Sequence, residues 1–465
     1  MKIPMQMNHI GRWQQAVIAI ALCAFLSALW LRLPHPSIAA VAILPIGMVI
    51  SIQMPFLLCL MFIAFSFFRL HEVFPVLYPL HIPQLLAVAT LGSLLLNFII
   101  KRIDIYWTRE LSIFCFFFVL VTIGALLATN VAAAMKTLTG SYIKIAAMVF
   151  AISWLLRKES QYRLLIATMT CCGIGVAIVA LYNKANGLEI VEGSRVTIGR
   201  SIGSMLGDPN DLSLVLLFPA SFALALILTP GFSKLWKLLG ITCFFTVCAA
   251  IIATQSRGGL IGICAVSGIF AWHRVQNKAL LLALGGALLM LLFIFAGVSD
   301  RASGGAHEAG IDESAMGRIY AWQAAIGMAI HHPLTGVGLN NFIYNYFEFS
   351  PHWDGQNHAV HSTWFGVMAE TGLLGLLTFI AMILLIARIS VRSVRLFSPK
   401  KTVATYTTTN ATTYNPTLFA CAQSIQAGLA GFCVSGTFLT MGFTWPVYIL
   451  LALAVALSQF EKPAP

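Results

Sequence analysis

Three separated stretches carry the residues that could do chemistry. The first is Arg195-Val-Thr-Ile-Gly-Arg200-Ser-Ile-Gly203-Ser-Met-Leu-Gly207-Asp208-Pro209-Asn210-Asp211. It has two arginines among glycines, directly before a helix start capped by Asn or Asp. Guanidinium forks match phosphate oxygens, so an anionic ligand is the chemistry to expect. The second is Ser256-Arg257-Gly258-Gly259. Arg257 there either snorkels toward lipid headgroups or meets the same anion, with glycines that let a ligand approach the backbone. The third is Asn357-His358-Ala-Val-His361-Ser362-Thr-Trp364, followed by Glu370, Gly372 and Gly375. His358 and His361 share a face if the helix begins early. Glu370 is either functional, as an ionisable residue inside an apolar segment, or hydrogen-bonded to backbone that the glycines loosen. No third ligand at zinc-type spacing accompanies the histidines, so no metal is expected.

The elements that position these groups are set by composition. The chain has 465 residues, 59% apolar and 9% charged. Soluble domains run near ~45–50% apolar and ~25% charged. A soluble enzyme, a disordered chain and a disulfide scaffold are therefore excluded. The apolar residues form long runs and do not alternate, which argues against a β-barrel. The ten cysteines lie within apolar stretches and read as packing. The reading is an all-α polytopic membrane protein with about 12–14 transmembrane helices. The apolar runs are 13–31, 38–53, 55–70, 82–100, 110–128, 139–156, 162–182, 211–229, 236–254, 258–272, 279–297, 361–388, 417–437 and 440–458. The pair 38–53 and 55–70 is the weakest, and it makes one or two true spans. The first run lacks a small-residue cleavage site and reads as a span, not a signal peptide.

The net charge is +12. In a membrane chain it bears on orientation, and no nucleic-acid partner is expected. Most Lys and Arg fall on one set of connections, which places both termini on the inner side. Most histidines, and the arginines 195, 200, 257 and 318, then fall on the outer side. Three regions follow. Residues 1–297 hold transmembrane helices with an outer arginine loop at 183–210. Residues 298–360 form a large outer loop containing an amphipathic helix at 315–332, with Ile319, Trp322, Ala325, Ile326 and Ala329 on one face. Residues 361–465 hold the last transmembrane helices, with a Thr-rich inner linker at 402–414.

The run His361-Ser362-Thr-Trp364 through Glu370-Thr-Gly372-Leu-Leu-Gly375 closely resembles the signature of the O-antigen ligase and O-antigen polymerase superfamily. Arg318-Ile-Tyr-Ala-Trp322 and Pro333-Leu-Thr-Gly336-Val-Gly338 resemble the motif that precedes it. Arg200 and Arg257 resemble the two family arginine sites, although Arg195 could take the place of Arg200. The likeness runs from about residue 195 to 385. It implies a GT-C-like, metal-independent glycosyltransferase of the bacterial inner membrane, without cofactor, acting at the periplasmic face. It further implies a donor glycan on undecaprenyl diphosphate and, in the ligases, a lipid A-core sugar hydroxyl as acceptor. In polymerases the acceptor is another lipid-linked repeat, and in O-oligosaccharyltransferases a protein Ser or Thr. The implied roles are diphosphate binding for Arg200, Arg257 or Arg195, and general base for His361. His358 is the alternative base, and Arg318 and Glu370 are supporting residues.

Elementary chemistry is compatible with those roles. A lipid diphosphate is a good leaving group, so transfer needs positive charge at the departing oxygen and a base for the acceptor hydroxyl. A single displacement inverts the anomeric centre. A flippase for lipid-linked glycan is the competing class. It would show internal repeats and charges near the midplane, and neither is seen.

Overall fold

The computed structural model describes Ala28 and residues 53–295, 313–353, 355–399 and 414–461. The runs 13–31 and 38–53, the linker 402–413 and the start of the large loop lie outside the described residues. The chain is an all-α polytopic membrane protein. Its helices are α1 (Pro55–Phe67), α2 (Ile82–Ile99), α3 (Arg109–Leu126), α4 (Val131–Leu155), α5 (Glu159–Ala185), α6 (Pro209–Leu228), α7 (Lys234–Thr254), α8 (Arg257–Trp272), α9 (Lys278–Phe295), α10 (Glu313–His331), α11 (Phe342–Phe349), α12 (Thr363–Leu396), α13 (Pro416–Gly436) and α14 (Trp445–Ser458). Among the described residues, eight helices are long and apolar enough to cross a bilayer. α1, α8, α9 and α14 are shorter apolar helices. α10 and α11 belong to neither group and lie in the expected large loop.

Local chemistry explains the boundaries. Asp208 caps α6, its carboxylate accepting from Asn210 N at 2.7 Å and Asp211 N at 3.3 Å, with Pro209 at the first helical position. Ser256 caps α8 by accepting from Gly259 N. Asn415 caps α13 in the same way. The apolar run 55–70 yields only the thirteen residues of α1, because Arg69 turns the chain into the left-handed region. The run 139–156 begins earlier than its hydropathy, at Val131, and contains a π-helical turn at Leu138–Tyr142. α6 and α13 are the most enclosed of the spanning helices and form the middle of the main apolar core. The only strands among the described residues are a two-residue hairpin, β1 (Ile190–Val191) with β2 (Arg195–Val196), within the arginine loop.

α10, α11 and residues 360–369 build a second, smaller apolar cluster. The expected helix at 315–332 is present, but its packed face differs. Ala321, Ala324, Ala325, Met328 and Ala329 are buried, whereas Ile319 and Ile326 are exposed. Small side chains let α10 approach α12 closely, and the bulky ones are turned outward. Trp322 anchors the contact. It stacks on Phe365 at 5.0 Å, and its indole N–H donates to Val360 O at 3.1 Å.

α12 is kinked. Gly372 takes φ 71 and ψ −173, and the Pro333 carbonyl packs on its α-carbon. Leu373 N donates to Pro333 O at 2.8 Å, and Val337 N donates to Ala369 O at 2.8 Å. Gly336, at φ 61, lies against the Ala369–Thr371 backbone. A Cβ at either glycine would collide with backbone, so the two glycines form one interlock between loop 333–340 and α12.

Candidate active site

The first turns of α6 and α8 meet at one end of the bundle. Ser256 Oγ donates to Asn210 Oδ1 at 2.9 Å, across the two helix starts. Gly259 leaves room for Ser213, so the helices approach closely there. Asn210, Ser256, Arg257 and Gly258 line a recess with Arg318 from α10 and Phe438–Leu439 from the α13–α14 connection. The Arg318 guanidinium sits 5.9 Å from the centre of the Phe438 ring. α12 is joined to the same wall. Thr363 Oγ1 donates to Leu439 O at 2.7 Å and accepts from Met441 N at 3.1 Å. Two arginines and the N-terminus of α8 therefore face one small space, and both kinds of group favour an anion, whereas the first amides of α6 are already taken by Asp208.

His361 adjoins this recess. It lies two residues before α12 with φ 46, a left-handed conformation that is uncommon for a residue with a Cβ. Ser362 is extended and stands at the N-cap, so α12 begins only at Thr363. His358 and His361 consequently do not share a helical face. His358 packs edge-on against Tyr346, with ring centres 5.5 Å apart. The His361 surface is exposed, yet its pKa is lowered from the ordinary 6.5. Partial desolvation is the first cause, the Arg318 charge the second and His358 a further one, while Asp208 opposes them. The result is a neutral imidazole, able to accept a proton, within the field of Arg318.

The arginine loop sorts its two candidates. Arg195 is buried and occupied. Its Nε donates to Thr254 O at 3.0 Å, Nη1 to Glu192 at 3.2 Å and Nη2 to Asn210 Oδ1 at 2.7 Å. It braces the loop against α6 and α7, and the recess lining does not include it. Arg200 is exposed, in a short turn bounded by left-handed Gly199 and Gly203. Its Nη1 donates to Gly207 O at 3.1 Å, and its backbone N donates to Glu189 at 2.8 Å. The recess lining does not include it.

Glu370 is buried behind the interlock. Its carboxylate accepts from Asn340 N at 2.8 Å and Phe342 N at 3.4 Å. These amides belong to the connection before α11 and to its first residue, and not to backbone loosened within α12. The carboxylate thus anchors the cap that carries Arg318.

Three participants were not singled out by sequence reasoning. Asn210 resembled a simple cap, but Asp208 caps, and Asn210 Oδ1 joins Arg195 to Ser256. Phe438 lay in an ordinary span connection. Glu72 is buried, accepts from Ser204 Oγ at 2.5 Å and pairs with Arg69 at 3.0 Å. Ser204 Oγ in turn accepts from Leu206 N, so Glu72 braces the loop that presents Arg200. A buried carboxylate between two apolar segments was the available signal.

Residues 242–380 match the family model described as O-antigen ligase. That stretch runs from α7 into α12 and contains Arg257, Arg318, His358, His361 and Glu370. The chain is also similar to the exopolysaccharide production protein ExoQ of Rhizobium meliloti (strain 1021), at 27% identity over 223 residues. The match covers 44% of this chain and 49% of that protein, so the chain spans about half the length of this curated relative. The chain is thus a multi-pass membrane protein whose residues 242–380 are similar to the O-antigen ligase family.

Proposed function

We propose that the chain is an inverting, metal-independent glycosyltransferase. It moves O-antigen glycan from undecaprenyl diphosphate to a sugar hydroxyl of the lipid A core. The observation that carries this reading is the recess where Arg257, Arg318 and the first turns of α6 and α8 converge beside a neutral His361. The proposed site lies on the periplasmic side of the inner membrane, with both termini in the cytoplasm.

In this account His361 takes the proton of the acceptor hydroxyl. The hydroxyl oxygen attacks the anomeric carbon from the face opposite the diphosphate. The carbon–oxygen bond to the diphosphate breaks, and undecaprenyl diphosphate leaves with the electron pair. Arg257 and Arg318 hold the charge that develops on it, aided by the amide end of α8. Arg200, exposed on the loop that leads into α6, is proposed to meet the diphosphate as it enters.

A second reading shares the chemistry and changes the acceptor to another lipid-linked glycan, giving a longer polymer. The likeness to an exopolysaccharide production protein favours it. Product identification separates the two. Purified protein in liposomes is given lipid-linked glycan with and without lipid A-core. Glycan joined to the core supports ligation, and ladders that grow without core support polymerisation. No transfer with either acceptor would contradict both.

A further inference from the structure

The cap formed by α10 and α11 presents an apolar face that neither the recess nor the main core uses. α11 is two-sided. Phe342, Asn345 and Tyr346 are buried, while Ile343, Tyr344 and Phe347 are exposed, Tyr344 to 55% and Phe347 to 61%. Trp353 continues this face, its ring 4.6 Å from that of Phe347. Ile326, Ile330 and Leu334 are exposed along α10 and the turn after it.

The depth of this face follows from its hydrogen bonds. Asn341 Oδ1 accepts from Asn130 N at 2.7 Å, and Asn341 Nδ2 donates to Asn130 O at 3.2 Å. Asn345 Oδ1 accepts from Thr129 Oγ1 at 3.0 Å. Thr129 and Asn130 form the turn between α3 and α4, both of membrane-spanning length. A turn between two spans sits at the bilayer surface. Loop 335–338 goes lower. The Thr335 carbonyl lies against Gly124, and Gly338 lies against Ala128, inside and just past the last turn of α3. Leu126, Leu127 and Val131 are exposed around the same turn and continue the apolar surface.

We propose that α11 is an interfacial helix, with Tyr344, Phe347 and Trp353 seated in the lipid headgroup region. Aromatic residues with one polar edge favour that layer, and amphipathic helices lie in it with the apolar face down. The buried side of the same helix carries Tyr346 against His358, three residues before His361. Lipid contact on one face would thereby hold the His358–His361 segment at a set height above the membrane. The membrane contact stands on packing and depth alone and does not depend on the transfer chemistry.

The test is photocrosslinking with p-benzoylphenylalanine placed at Tyr344 or at Phe347, both exposed and aromatic, so that the larger side chain is accommodated. The protein is reconstituted in liposomes of phosphatidylethanolamine and phosphatidylglycerol. Ser201, exposed on the arginine loop, serves as the water-facing control. Irradiation is expected to add the mass of a phospholipid at both α11 positions and not at 201. No lipid adduct at either position, crosslinks to a second copy of the chain, or equal lipid labelling at 201 would overturn the proposal.

Discussion

The recess at α8 and the interlock at α12 both centre on ionisable side chains near helix ends in an apolar chain, and they treat charge in opposite ways. In the interlock, Glu370 is enclosed and faces the amides of Asn340 and Phe342. In the recess, Arg257 and Arg318 line an open space beside the N-terminus of α8. A carboxylate fixed on backbone amides is an anchor. Cations and amide dipoles turned toward the same opening make a receptor for an anion. The comparison predicts that changes in the recess cost turnover with the fold intact, and that changes in the interlock cost stability first.

The largest expected effect is at His361. His361→Ala should lower transfer by about 10²–10⁴, the usual worth of general-base assistance. His358→Ala should cost much less. Transfer in liposomes by both variants is the check, and full activity in His361→Asn would remove the residue from the mechanism.

Glu370→Ala tests the other side. It leaves the buried Phe342 amide and the part-buried Asn340 amide without their acceptor, at a cost of about 1–3 kcal/mol in stability. A lower thermal midpoint in detergent is expected, with partial rescue by Glu370→Gln, which keeps one acceptor oxygen. An unchanged midpoint together with lost turnover would move Glu370 from anchor to catalyst.

The smallest effect is in pH dependence. The His361 pKa is lowered, so the base is neutral at pH 7 and the acid limb of kcat/KM should fall below about 6.5. Arg318 is one cause of the lowering. Arg318→Ala should therefore move the limb toward higher pH, besides any loss from weaker diphosphate binding. A limb that stays in place would show that Arg318 does not act on His361.

Much of the fold was legible because a lipid-facing helix must be about 20 residues of apolar chain. The runs 211–229, 236–254 and 417–437 match α6, α7 and α13 to within a few residues. The start of α6 could be read near Pro209, although Asp208 and not Asn210 or Asp211 provides the cap. Long-range partners could not. Nothing near Arg195 shows that Thr254 and Asn210 occupy it, and nothing near Glu72 points to Ser204. The packed face of α10 was misread because hydropathy favours Ile319 and Ile326 for burial. Close packing against α12 selects alanines, and the isoleucines are left for the outer surface. Whether the histidine pair shares a face depended on where the helix begins, and the extended N-cap at Ser362 has no sequence mark that settles it.

The central claim is that the recess binds diphosphate while His361 acts on the acceptor, and one paired measurement addresses it directly. Binding of undecaprenyl diphosphate and glycan transfer are measured side by side for the unaltered protein, Arg257→Ala and His361→Ala, each shown to be folded and inserted. The account predicts that Arg257→Ala loses both binding and transfer, the latter by about 10²–10³ as for other electrostatic stabilisers. It predicts that His361→Ala binds normally and does not transfer. Normal binding and turnover in Arg257→Ala would mean that this arginine only reaches for lipid headgroups, and would contradict the account.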